Sequence, residues 1–386
     1  MYFDLQWLLL GLPIAFGLGW LASRLDVRQW RREQTDAPKA YFKGLNLLLN
    51  EQQDKAIDAF IEAVQRDPDT LDLHFALGNL FRRRGEYERA VRVHQHLLGR
   101  ADLPQGERER AQHALAQDYM KAGLFDRAEQ AFNALEGTPF GTEARLALLT
   151  LHERSRDWRA AVDVAQQLER SGTGSFASRI AHYWCEIALE ADARDPRGPE
   201  AEDALRRARE AAPQAPRPLL MAGERALRRG EHAGALAAFR ELMAGHPAIF
   251  NFVATDYAAS AREGGDRTTA MERLRALYQR NPTVELLEAI DLLDPDPPRR
   301  RERRLAHLRR HPTLSAAQAM LATAADAPSG IATIDAAALH DAVTRAARPL
   351  QRYRCAACGF EAEHYFWQCP GCQSWDSYPP RRIEDE

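Results

Sequence analysis

Lysine is almost missing from this chain. Only Lys39, Lys43, Lys55 and Lys121 occur, so 48 of the 52 basic residues are arginine. GC-rich coding accounts for that imbalance, and it carries little weight as a sign of arginine-specific recognition. Cysteine is scarce as well: there are five, and four of them fall between positions 355 and 372. The fifth, Cys185, lies in an apolar helical stretch and reads as a small core residue, not a reactive thiol. An excess of charge of either sign is also absent. With 45% hydrophobic and 28% charged residues and a net charge of -3, the chain is neither disordered nor built for wholesale nucleic-acid binding. Catalytic signatures are missing too. There is no phosphate-binding glycine loop, no nucleophile elbow and no dinucleotide fingerprint. His152-Glu153 begins like a zinc-protease motif, but Arg156 stands where its second histidine belongs. Binding, not catalysis, is the class that remains.

What is present begins at the amino terminus. Residues 5–23 contain no charge, and only Gln6 and Ser23 are plainly polar. As a helix, such a run covers roughly 28 Å at ~1.5 Å per residue, close to the ~30 Å hydrocarbon core of a bilayer. Trp7 and Trp20 sit near its ends, and Arg24, Arg28, Arg31 and Arg32 follow it, with only Asp4 before. The positive-inside rule puts the N-terminus outside and the remainder in the cytosol. A cleaved secretory signal fits worse: the run is long, lacks a basic n-region and is followed by arginines that resist translocation. The expectation is a transmembrane anchor over 1–23 and a basic juxtamembrane linker over 24–36.

At 386 residues the chain exceeds one ordinary compact domain unless it grows by stacking repeats. Repeats dominate it. Gly44, Leu47, Ala56, Phe60, Ala63 and Pro68 carry the spacing of a 34-residue tetratricopeptide unit. Gly78, Phe81 and Ala90 return 34 residues later. Further units show Tyr119, Gly123, Ala128 and Phe132, then Gly223, Gly230, Ala235, Phe239 and Pro247, then Gly265, Ala270 and Pro282. Small residues at the eighth and twentieth positions let two antiparallel helices approach, and large ones fill the space between pairs. The prolines at 68, 247, 282 and 312 close second helices, because the residue before proline avoids the α region. Weaker units centre on Ala161 and Ala204. The spacing predicts about eight units over 37–312, an all-α solenoid whose concave face holds a peptide or protein. Phe75, Asn79, Arg82, His113 and Gln117 occupy first-helix positions on that face, where ordinary helix surface is an equal reading. The arginines at 299, 300, 301, 303, 304, 309 and 310 read as a solvated helix face, with anionic lipid or an acidic partner as the alternative.

Terminal helices and a linker are expected over 313–350, and a metal module over 351–386. There, Cys355-Ala-Ala-Cys358 is followed, after ten intervening residues, by Cys369-Pro-Gly-Cys372. Two such turns mark a tetrahedral thiolate site, with Cys355, Cys358, Cys369 and Cys372 as ligands of one zinc or iron ion. Two disulfides would require an oxidising compartment instead. So small a module builds little core, and the ion supplies its folding energy. Tyr353, Phe360, Tyr365, Phe366, Trp367, Trp375 and Tyr378 crowd this segment, some packing round the site and the rest free to dock on the array or a partner.

An anchor, a repeat array and a Tyr-x-Cys-x-x-Cys-Gly-Phe…Cys-Pro-x-Cys tail, in that order, resemble the lipopolysaccharide assembly protein B family over essentially the whole chain. The family's tail is rubredoxin-like, and its four cysteines match those at 355, 358, 369 and 372, although ten residues between the knuckles is shorter than in true rubredoxins. The resemblance implies an inner-membrane regulator of lipopolysaccharide synthesis. It would help the membrane ATP-dependent protease FtsH degrade the deacetylase that commits precursors to lipid A, and gather other lipopolysaccharide-synthesis proteins. Other readings of the same modules are a rubredoxin-like electron carrier, a generic repeat co-chaperone, or a nucleic-acid-binding ribbon; the last is disfavoured by the mixed charges round the knuckles and the membrane tether, so no nucleic acid is expected.

Overall fold

The computed structural model describes residues 16–20, 42–47, 50, 52–66, 70–325 and 333–385. Most of the expected anchor and linker, 1–36, lies outside the described residues; 16–20 are helical. Among the described residues no helix is long and apolar enough to cross a membrane.

A helical stretch over 42–47 precedes α1 (Gln53–Arg66), α2 (Leu71–Arg84), α3 (Tyr87–Leu98), α4 (Gln105–Lys121), α5 (Phe125–Asn133), α6 (Gly141–Ser155) and α7 (Trp158–Arg170). They continue with α8 (Ala177–Arg194), α9 (Glu200–Ala211), α10 (Pro216–Arg228), α11 (His232–Gly245), the short α12 (Pro247–Phe250) and α13 (Ala254–Glu263). The last are α14 (Arg267–Arg280), α15 (Val284–Leu293), α16 (Pro297–Arg310), α17 (Leu314–Ala325) and α18 (Thr333–Ala347). The chain divides into two compact units, Met1–Ala160 and Ala161–Glu386.

In the first unit α2 packs along α3, α3 along α4 and α4 along α5. In the second, α8 packs along α9, α10 along α11, α14 along α15 and α17 along α18. Packing between successive helices is the property of a solenoid, and this is a helical tetratricopeptide solenoid. Its periodic residues are its core: Ala56, Ala90, Ala128, Ala161, Ala235 and Ala270 are all at 0% exposure.

The eighth-position glycine has a specific opponent sixteen residues on. A Cβ on Gly44 would come within 2.7 Å of Phe60, one on Gly78 within 2.5 Å of His94, and one on Gly223 within 2.3 Å of Phe239. These helix pairs are closed to a distance only glycine permits. At the turn within a unit, Gly85 adopts φ 84° and ends α2, its own N–H bonding Arg82 O and the next N–H bonding Phe81 O. Arg156 takes the same left-handed role after α6 at φ 58°, which costs an L-residue about 1 kcal/mol or more.

One substitution in the pattern changes the chemistry of the core. Where other units place Phe60, Phe132 or Phe239, the second places His94, fully buried. Its Nδ1 lies 2.5 Å from Asp118, which also takes Arg82 at 2.9 Å. Arg82 in turn donates to Asn79 Oδ1 at 2.6 Å and Ala114 O at 3.1 Å. Asn79 and Arg82 are thus engaged inside the first unit. Phe75 is buried beneath the Arg110 guanidinium, 4.0 Å from its ring centroid. His113 packs on Phe132 and Phe140 and meets Gln117 at 3.4 Å; burial holds its imidazole below the usual value despite Glu143. All five suggested groove residues have such intramolecular contacts.

The arginine stretch of α16 is similarly divided. Arg303 and Arg304 grip the buried Asp291, Arg303 also bonding Asp294 and Arg304 the carbonyl of Ala319. Arg301, Arg309 and Arg310 are exposed. His152 is a buried core residue. Cys185 is fully buried, and burial pushes its thiol up to about 12, so it is inert.

Candidate metal centre and its seat on the array

Past α18 the helical pattern stops. Two short strands, β1 (Tyr353–Arg354) and β2 (Glu361–Ala362), pair antiparallel, Tyr353 opposite Ala362 and Arg354 opposite Glu361. They hold the first knuckle at their tip. A bridge between Gln368 and Trp375 holds the second in the same way. The two turns are near copies. Cys355 N–H donates to Phe360 O at 2.9 Å and Gly359 N–H back to Cys355 O at 2.8 Å. Cys369 N–H donates to Ser374 O at 2.9 Å and Gln373 N–H back to Cys369 O at 2.8 Å. The residue after each second cysteine is left-handed, Gly359 at φ 78° and Gln373 at φ 59°.

These turns bring Cys355, Cys358, Cys369 and Cys372 together, all four sulfurs within 4.8 Å of one another. Cys355 and Cys372 are 3.8 Å apart and Cys358 and Cys369 3.7 Å. A regular tetrahedron with ~2.3 Å zinc–sulfur bonds requires an edge of about 3.8 Å. None of the four is in a disulfide. The site therefore fits one tetrahedrally bound ion with four thiolates and no open position.

The local electrostatics favour thiolates. Burial opposes ionisation of Cys355, but hydrogen bonds from the Ser377 hydroxyl and the N–H groups of Cys358 and Ala357 outweigh it and bring the thiol down to about 6. The Ser374 side chain and backbone lower Cys372 likewise. Cys358 moves the other way: the Phe360 N–H pulls it down, and burial and the three other sulfurs push it up further. Four negative sulfurs at this separation need a cation between them.

The module's aromatic side chains do not all surround the ion. Tyr353 and Tyr378 pack with Cys355 and Cys369 in its small core. Trp375 and Trp367 face the array. Trp375 stacks on His182 of α8 and meets Tyr183 edge-on at 6.0 Å. The guanidinium of Arg217, from α10, lies 5.8 Å from Trp367 and 5.9 Å from Trp375, its Nη2 donating to Glu186 at 2.6 Å. Asp376 accepts from His182 Nε2 at 2.8 Å and from Ser178 at 2.7 Å. Further along, Phe252 packs on Tyr365 and Tyr353, Glu285 holds Arg382 at 3.1 Å, and Ser315 bonds Glu384.

Sequence reasoning located the four cysteines and the surplus aromatics but missed their receivers on the array. The signal was present: His182, Arg217, Phe252 and Glu285 recur at intervals of 35, 35 and 33, on α8, on α10, in the 3-10 turn over 251–253 before α13, and on α15. Motif periodicity marks residues that pack between helices, whereas these vary in type from unit to unit because each meets a different part of the module.

A tetratricopeptide solenoid that seats a four-thiolate module on its own first helices is a binding scaffold of the repeat class. Two segments, 73–109 and 113–176, match tetratricopeptide repeat models, and 353–379 matches the rubredoxin metal binding domain. The chain is 32% identical over 384 residues to lipopolysaccharide assembly protein B of Escherichia coli (strain K12), covering 98% of each. It is 27% identical over 401 residues to the protein of the same name from Haemophilus influenzae (strain Rd), covering 97% of this chain and 98% of that one. This chain belongs to the lipopolysaccharide assembly protein B family.

Proposed function

We propose that the chain is a membrane-anchored cytosolic adaptor that regulates lipopolysaccharide synthesis. The observation that carries the adaptor reading is the seating of a closed four-thiolate module on the array. An ion with no open position supplies structure, not Lewis-acid chemistry, and a solenoid offers extended surface for polypeptide partners. Cys355, Cys358, Cys369 and Cys372 are the proposed ligands of a zinc or iron ion. The uncharged run over 5–23 and the arginines behind it support an inner-membrane span with the N-terminus periplasmic. The names of the relatives support lipopolysaccharide assembly as the process. Within it, the partners are FtsH, the lipid A-committing deacetylase and other synthesis proteins, brought together at the membrane.

Depletion of the protein in its native bacterium tests the reading. The deacetylase half-life lengthens and lipopolysaccharide rises if the adaptor role holds; unchanged values reject it. Cysteine labelling in intact cells tests the topology separately, and a periplasmic tail with its sulfurs paired as disulfides would overturn the placement.

A further inference from the structure

One four-residue turn of the module, Ser374-Trp375-Asp376-Ser377, touches both the sulfur cluster and the array. Its outer members meet the sulfurs. Ser374 Oγ lies 3.4 Å from Cys372 Sγ, and Ser377 Oγ lies 3.3 Å from Cys355 Sγ and 3.1 Å from Ser374 O. Ser377 O also accepts from Ala356 N–H at 2.8 Å, so this residue clasps the first knuckle with side chain and backbone together. Cys355 and Cys372 are themselves neighbours at 3.8 Å, and the turn therefore runs along one edge of the cluster.

Its inner members meet the array. Trp375 stacks on His182, and Asp376 accepts from His182 Nε2 and from the Ser178 hydroxyl. The other ring nitrogen of His182, Nδ1, lies 3.4 Å from Arg217 Nη1, a group that can only donate. Nδ1 is thus the acceptor, and the ring carries its proton on Nε2, aimed at Asp376. Asp376 stands at φ 51°, a left-handed conformation unfavourable for an L-residue. Its N–H donates to Trp367 O at 2.9 Å, and this bond and the two to its carboxylate hold it there. The bend lets two adjacent side chains reach the array while the next returns to Cys355.

The energetic consequence comes from the small size of the module. Its folding depends on the ion, and only the folded turn presents Trp375 and Asp376 to α8. Seating therefore stabilises the ion-bound module and not the unfolded one, and by linkage it tightens the hold on the ion. We propose that His182 and Ser178 are positioning residues for the four-cysteine ion site, acting through the turn at 374–377, with Ser377 as the contact between that turn and the sulfurs. The inference rests on the ion-site reading above and extends it to residues of the array, about 170–190 positions away.

The test measures the zinc affinity of the full chain by competition with a chelator of known affinity, with elemental analysis of the loaded protein. The parent should hold one zinc ion. His182→Ala should hold it about fivefold or more weakly, the lower end of ordinary coupling between sites. Ser178→Ala, at an exposed position where folding of the array is not at stake, should hold it about threefold more weakly through one lost hydrogen bond. Ser377→Ala should weaken binding as well, and Ser377→Thr, which keeps the hydroxyl, should recover the loss. Cobalt in place of zinc separates the two roles: the sulfur-to-cobalt charge-transfer band should shift in Ser377→Ala and stay in place in His182→Ala. An unmoved band in Ser377→Ala, or equal zinc affinity in the parent, His182→Ala and Ser178→Ala with one ion each, overturns this inference alone. A parent that binds no zinc overturns the ion-site reading together with it.

Discussion

Trp375 lies flat against His182, their ring centroids 4.6 Å apart and their planes 18° from parallel. The two residues are 193 positions apart, and their contact is the centre of the joint between module and array. Trp375→Ala should weaken that joint by about 2–4 kcal/mol, through lost burial and the lost stack. Amide exchange of the module on the intact, metal-loaded chain reads the change. Faster exchange in 353–379 with an unaltered array is expected; unchanged exchange would mean that the stack contributes nothing to seating.

Acid should loosen the same joint through Asp376. Burial alone would raise its carboxyl, but the bonds from His182 and Ser178 and the charge of Arg217 outweigh it and hold it below the ordinary 3.8. A folded value below the unfolded one stabilises seating fully above the unfolded value, and that contribution is lost as pH falls through the folded one. Asp376→Asn should therefore seat more weakly than the parent at pH 5, where the carboxylate is ionised. Below about pH 4 the two should converge. Tryptophan fluorescence of both proteins across the range measures the gap, and a gap that persists at pH 2 contradicts the assignment.

Removal of the ion should unfold the module and spare the array. The apparent binding free energy of such sites, roughly 10–16 kcal/mol, exceeds anything so small a core provides. One metal ion per chain is expected by elemental analysis, falling well below one in the Cys355→Ser, Cys369→Ser double variant. Chelation should leave the helical circular dichroism nearly intact while abolishing the slow exchange of the module. A cooperative loss of the array's helix signal would show that the ion organises much more than its own knuckles.

Gly78→Ala probes the repeat geometry. The added methyl would fall 2.5 Å from His94 Nε2, and His94 cannot swing aside without leaving Asp118, itself at 0% exposure. Overpacking of this kind costs about 1–3 kcal/mol. Urea titration should show that loss, whereas alanine at the exposed Gly106 of α4, where nothing lies within 4 Å of an added Cβ, should be neutral or stabilising.

The periodic part of this fold was legible because it is local. Alanine at the twentieth position and glycine at the eighth report how closely one helix lies on the next, and that distance is set within a single unit. His94 escaped the pattern for the same reason in reverse: a histidine in a phenylalanine position is tolerated only because Asp118, 24 residues on, is there to receive it. Arg156 escaped as well, since its left-handed backbone stands where other units use glycine and no residue type announced it.

By itself the amino-acid sequence determined the repeat architecture and the four sulfur ligands, since helix periodicity and thiolate spacing are both written in short intervals. Where the module rests was decided only in three dimensions. His182, Arg217, Phe252 and Glu285 share no residue type, and their meaning lies in what Trp375, Trp367, Tyr365 and Arg382 present to them across the fold. A joint of that kind depends on complementary surfaces from distant parts of the chain; the receivers keep the interval of the repeat, but complementarity imposes no common residue type at that interval.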